Sequence, residues 1–160
     1  MLNNLRARWH HYQSQRTLER LGAWYSLSYQ IWDLCGQALR NEKVGQKEAG
    51  FILDQIDRTI FRLNDQPSPV TRALRRRFPE LARVINTATE NVFHLRNYTA
   101  LFLIHCQGPT PAEATPSDAE CLYFYQRAMD KHGLKALEIW RELEQQFAAI
   151  REGMRQLEIA

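Results

Sequence analysis

Between Leu74 and Phe102 the residues Leu74, Phe78, Leu81, Ile85, Ala88, Val92, Leu95, Thr99 and Phe102 recur at alternating intervals of four and three. A β-strand turns every second side chain to the same face, so this spacing cannot serve a strand. An α-helix advancing ~100° per residue gathers all of these residues into one stripe. A stripe of this length needs other helices to cover it, and the rest of the chain supplies them.

From about residue 2 to 40, Leu18, Leu21, Tyr25, Ser28, Trp32, Cys35 and Leu39 follow the same spacing. A second register beside it, Trp24, Leu27, Ile31 and Leu34, widens the stripe enough to face more than one neighbour. A shorter helix over about 46–64 presents Ala49, Ile52, Ile56, Ile60 and Leu63. After the breaker "NDQPSP", Ser68 as N-cap and Pro69 as first helical residue predict a helix over about 69–106, with a kink or short break at Pro79. The last helix is expected over about 117–158, capped by Thr115 with Pro116 and Asp118 in its first turn and divided near Gly133. Trp140, Leu143, Phe147, Ile150, Met154 and Leu157 form its apolar stripe. No strand pattern competes, so the expected fold is all-α. It is a single domain, an antiparallel bundle of three long helices and one shorter one.

Helices approaching forty residues would span about 55 to 60 Å at 1.5 Å per residue, about twice the reach of the 46–64 helix. Part of an apolar stripe is therefore left uncovered within one chain, which favours a protein partner or self-association.

Several chemistries are excluded by what is missing. No Glu-x-x-His pair of the kind that holds two metals in a bundle occurs, and Glu90 with His94 is the nearest arrangement, with His105 and Cys106 further on. Phosphate-binding glycine loops, zinc spacings and nucleophile elbows are absent. Asp54 and Asp57, with Arg58 and Arg62 at helical spacing, read as a surface ion-pair ladder. Arg96 and His105 stand nine residues apart, too far to match the arginine–histidine sites of helical ribonucleases. The expectation is a non-enzyme without cofactor or metal. Cys35, Cys106 and Cys121 form no C-x-x-C pair and read as buried free thiols in a reducing compartment. Arg6, Arg8, His10 and His11 interrupt any leader, and no apolar run is long enough to span a bilayer. Both features point to a cytoplasmic protein.

Charge carries the remaining lead. Residues 1–83 hold 14 Lys and Arg against 8 Asp and Glu, whereas residues 84–160 hold 7 against 10. The stretch "VTRALRRRFPELAR" concentrates this excess. On an unbroken helix Arg72, Arg75, Arg76 and Arg83 fall within an arc of roughly 100°, opposite Leu74, Phe78 and Leu81, with Arg77 between. Arg6, His10, Arg16 and Arg20 share a side of the first helix with Trp9, and Tyr12 is adjacent. Guanidiniums neutralise phosphates and aromatic rings stack on bases, so the expected partner is nucleic acid, bound through its backbone without sequence preference. In size, helix content and basic face the chain is similar to the small helical subunits of CRISPR effector complexes, a similarity of type that no residue motif carries and that implies a non-catalytic subunit lining nucleic acid. The competing expectations are an internally paired face, with Glu138, Glu142 and Glu144 docking on the arginines, and an adaptor or self-associating bundle without nucleic acid.

Overall fold

The computed structural model describes residues 1–40, 46–106 and 129–159. Outside the described residues lie the "NEKVG" loop, the expected cap at Thr115, Pro116 and Asp118, and Cys121. Among the described residues every regular element is helical: α1 (Leu2–Arg40), α2 (Gln46–Asn64), α3 (Arg72–Arg77), α4 (Pro79–Cys106) and α5 (Leu134–Ile159), with a single π-helical turn at Met129–Gly133 leading into α5. Gly133 thus ends a separate turn where the sequence predicts a division. No helix among the described residues is long and apolar enough to cross a membrane.

The long helices α1, α4 and α5 pack together and α2 closes one flank of α1. Cross-helix contacts give the directions. Trp32 meets Trp140 and Tyr25 meets Arg151, so α5 runs opposite to α1. Asn91 bonds Gln146 and Gly153 abuts Leu81, so α5 also opposes α4. Arg96 reaches Asp57, while Asn86 and Thr89 face Leu63, so α2 opposes α4 as well. Among the described helices α1, α2, α4 and α5, neighbours in the chain alternate in direction, an up-down-up-down bundle.

The core is the one that the periodicity predicts. Leu74, Leu81, Ile85, Ala88, Val92, Leu95, Thr99 and Phe102 are buried, and Phe78 is half-buried. Both registers of α1 are covered, because α1 packs against α2, α4 and α5 together. Two features draw α1 and α5 together. Phe147 lies among Trp24, Tyr25, Tyr29 and Trp32 of α1. Further along, Trp32 and Trp140 stack at 4.4 Å with 9° between their planes. Each indole N–H donates to the other residue's carbonyl, at 2.9 and 3.0 Å.

The break at Pro79 is one residue wide. Proline disfavours helical backbone in the residue before it, and Phe78 has left the helical region at φ −136° and ψ 66°. Its N–H donates to Leu74 O at 2.8 Å, closing α3, and its carbonyl accepts from Ala82 N–H at 3.0 Å, opening α4. Pro79 then occupies a first-turn position where its missing N–H costs nothing. The other end of this segment departs from the expectation. The helix begins at Arg72 rather than Pro69, and Thr71 is the cap, its Oγ1 accepting from Leu74 N–H at 3.1 Å. Ser68 accepts only from Val70 N–H, at 3.3 Å. Pro69 and Val70 are buried, and the chain turns tightly there, Thr71 N–H donating to Pro69 O at 3.1 Å, before the helix starts.

The length mismatch takes a definite form. At ~1.5 Å per residue, α1 is ~58 Å long against ~39 Å for α5. The excess lies at the N-terminus, where residues 1–12 are all exposed.

Candidate nucleic-acid interface

The short helix α3 crosses α1 just where α1 leaves the bundle. Its attachment is polar. Arg77 donates through NH1 to Ser14 Oγ at 3.0 Å, and the hydroxyls of Thr17 and Thr71 lie 3.3 Å apart. Ser14 and Thr17 are buried beneath it. Leu74 anchors the inner side of α3 in the core, so Arg72, Arg75 and Arg76, at i, i+3 and i+4, share the opposite side. All three are exposed, and among the described residues no carboxylate pairs with them. Glu138 pairs instead with Lys135 at 3.5 Å, and no described ion pair joins Glu142 or Glu144 to α3.

Arg77 and Arg83 stand apart from that group. Arg77 turns toward α1 and lies over the Phe78 ring, 5.7 Å from its centroid. Arg83 belongs to α4, beyond the break, and both its Nε and NH2 donate to Glu80 Oε2, at 3.2 and 3.0 Å. This pair is solvent-exposed, so its strength is small, but it gives the Arg83 guanidinium a carboxylate of its own. The arc drawn on an unbroken helix therefore reduces to three arginines.

The structure adds what sequence spacing cannot: the basic residues of α1 meet the start of α3. Trp9, Tyr12, Arg16, Arg20 and Arg72 line one groove of about 280 Å³. Trp9 and Tyr12 are 59% and 55% exposed, with ring centroids 6.1 Å apart and planes tilted by 30°. Arg6 lies further out on the projecting turns, exposed. Of the nine predicted residues, the groove and the adjoining face of α3 unite Trp9, Arg16, Arg20, Arg72, Arg75 and Arg76. Tyr12, which the sequence places adjacent to that basic side, forms a groove wall beside Trp9, as their i, i+3 spacing allows.

Among the described residues no three His, Cys, Asp or Glu side chains are placed to hold a metal. Glu90 and His94 are exposed on α4, and the His105 and Cys106 side chains lie outside the described residues. Asp54 pairs with Arg58 at 3.0 Å as the ladder predicts, but Asp57 crosses to Arg96 of α4 at 2.7 Å.

Cys35 is fully buried as a free thiol. Burial pushes its thiol up to about 12, against smaller downward pulls from the Thr99 hydroxyl and the Arg96 charge. The unfolded chain ionises this thiol near 9 while the folded chain keeps it protonated, so unfolding releases a proton between those values. The associated stability is complete below pH 9 and falls as pH rises toward 12, by at most about 1.4 kcal/mol per pH unit. Cys35→Ala should flatten that part of the alkaline stability curve measured by urea titration. Peptide mapping should also find wild-type Cys35 unalkylated until the chain unfolds. Rapid native alkylation at Cys35 would contradict the burial argument.

The chain matches no protein-family model, no curated protein and no solved structure.

Proposed function

We propose that this chain is a non-catalytic helical subunit that holds the backbone of nucleic acid, without sequence preference, within a larger nucleoprotein assembly. One observation carries the reading: Arg72, Arg75 and Arg76 stand exposed on one side of α3, unpaired by any described carboxylate, beside Arg16 and Arg20 of α1. Forked guanidiniums suit phosphate oxygens, and neutralised phosphates release condensed counterions, which makes the binding salt-dependent. Arg77 contributes by fixing α3 to Ser14, Arg6 adds positive charge on the projecting turns of α1, and Arg83, already paired with Glu80, adds little.

The test is fluorescence anisotropy with labelled single- and double-stranded oligonucleotides at several salt concentrations. The wild type should bind at low salt, with log affinity falling linearly against log salt. Arg75→Glu with Arg76→Glu should reduce that slope by about one unit per lost phosphate contact on a duplex, and by about 0.7 on a single strand. Absence of binding at low salt, or a slope indifferent to the double reversal, defeats the proposal.

A second reading has its own observation. Leu2, Leu5, Trp9 and Tyr12 recur at three-four-three spacing and are all exposed, an apolar stripe on the projecting part of α1. This favours an adaptor that docks on a protein partner or on itself. Sedimentation separates the two: a strict monomer that binds oligonucleotides supports the first.

A further inference from the structure

The groove between α1 and the start of α3 combines two kinds of side chain that a phosphate clamp alone does not need together. Arg16, Arg20 and Arg72 bring fixed positive charge, and Trp9 and Tyr12 bring exposed ring faces. The rings do not stack on one another. Their centroids stand 6.1 Å apart at 30°, against 4.4 Å and 9° for the stacked Trp32 and Trp140 in the core. The pair therefore forms an open platform along α1 rather than a closed aromatic contact. Large rings left half in water expose apolar surface that a ligand can cover favourably.

Charge decides between the occupants such a platform could take. The first acidic residue of the chain is Glu19, so the projecting part of α1 carries Arg6 and Arg8 with no carboxylate among them. A second copy of the chain laid along this stripe would bring like charges together, at an energetic cost. A polyanion satisfies both features at once. Among polyanions, duplex nucleic acid hides its base faces within the stack, whereas a single strand presents them. Guanidiniums hold either form by its phosphates, but only unpaired bases can lie on Trp9 and Tyr12.

We infer that the groove binds single-stranded nucleic acid, one or two unpaired bases lying on Trp9 and Tyr12 while the flanking phosphates meet Arg16, Arg20 and Arg72. The inference rests on the arginine-face reading above and adds to it the selection of single strands over duplex. It also assigns the two halves of the site different work: the α3 arginines supply salt-dependent affinity, and the α1 rings supply strand selectivity that salt does not remove.

The experiment compares three labelled probes by anisotropy: an oligothymidylate, an abasic strand of equal length and charge, and a duplex. The wild type should prefer the oligothymidylate. Trp9→Ala with Tyr12→Ala should lower affinity for it on the order of ten- to a hundredfold, to the level of the abasic strand. Affinity for the abasic strand and the salt slope should stay unchanged, and Trp9→Phe should restore much of the loss. Both residues are exposed, so the variants should melt like the wild type. Equal wild-type affinity for base-bearing and abasic strands, with the arginine-dependent salt slope intact, overturns the stacking inference and leaves the arginine reading standing. Failure to bind any oligonucleotide overturns both. Binding to anionic phosphatidylserine vesicles in that case would assign the basic, apolar stripe to a lipid surface instead.

Discussion

Phe147→Ala should destabilise the protein by about 3–5 kcal/mol, because it removes the ring around which α1 and α5 are packed. Phe147 is 1% exposed. Its ring meets Trp24 at 6.5 Å, Tyr25 at 5.5 Å and Trp32 at 6.1 Å, edge to face in each case, with Tyr29 tilted at 6.0 Å. Edge-to-face pairs contribute beyond their buried area. The four surrounding rings all come from α1, whose rigid backbone cannot close on the cavity that alanine leaves. Phe147→Leu keeps much of the volume and should cost roughly half as much. Urea unfolding followed by tryptophan fluorescence reads both. A loss below about 1 kcal/mol for the alanine variant would mean that the aromatic cluster is not where α1 and α5 are held together.

The second large effect is predicted for the smallest change. A Cβ added at Gly36 would stand 2.7 Å from Nε1 and 3.1 Å from Cε2 of Trp140. The indole cannot yield without cost, because it is stacked on Trp32, donates to Trp32 O at 3.0 Å and has Arg40 5.3 Å from its ring centroid. Moving it leaves a part-buried N–H and a carbonyl without partners while straining the interface. Gly36→Ala should therefore cost about 2–4 kcal/mol, although alanine is the better helix former. Gly22 is the internal control. It lies in the same helix with nothing within 4 Å of an added Cβ, so Gly22→Ala should stabilise by about 0.5–1 kcal/mol. Equal shifts of the same sign in the two variants would show that helix propensity, not the indole contact, governs position 36.

The candidate site was legible in part. Its residue types and its two sources, the N-terminal basics and the arginines of the seventies, appear in the linear order because charge and apolar alternation are local. The grouping did not. Arg83 shares an arc with Arg72 only if the helix runs through Phe78, and Pro79 prevents that. Ser68 and Thr71 are both competent caps by chemistry. The choice of Thr71 follows from the burial of Pro69 and Val70 and from the contact of its hydroxyl with Thr17, fifty-four residues earlier in the chain. Asp57 belongs to a local ladder by spacing, yet it bonds Arg96 because α2 and α4 lie side by side.

What the sequence determined by itself was therefore everything with a period. The extents of α1 and α2, the stripe from Leu74 to Phe102, and the all-α class follow from which residues recur every three or four positions, since a helix face is defined by its own backbone. Tertiary structure decided what is defined by two segments at once: the Trp32–Trp140 exchange, the seat of α3 on Ser14 and Thr17, and the groove that unites Trp9 with Arg72. Such contacts depend on how helices cross and how far each outreaches its neighbours, and no residue's spacing within its own helix encodes the position of another.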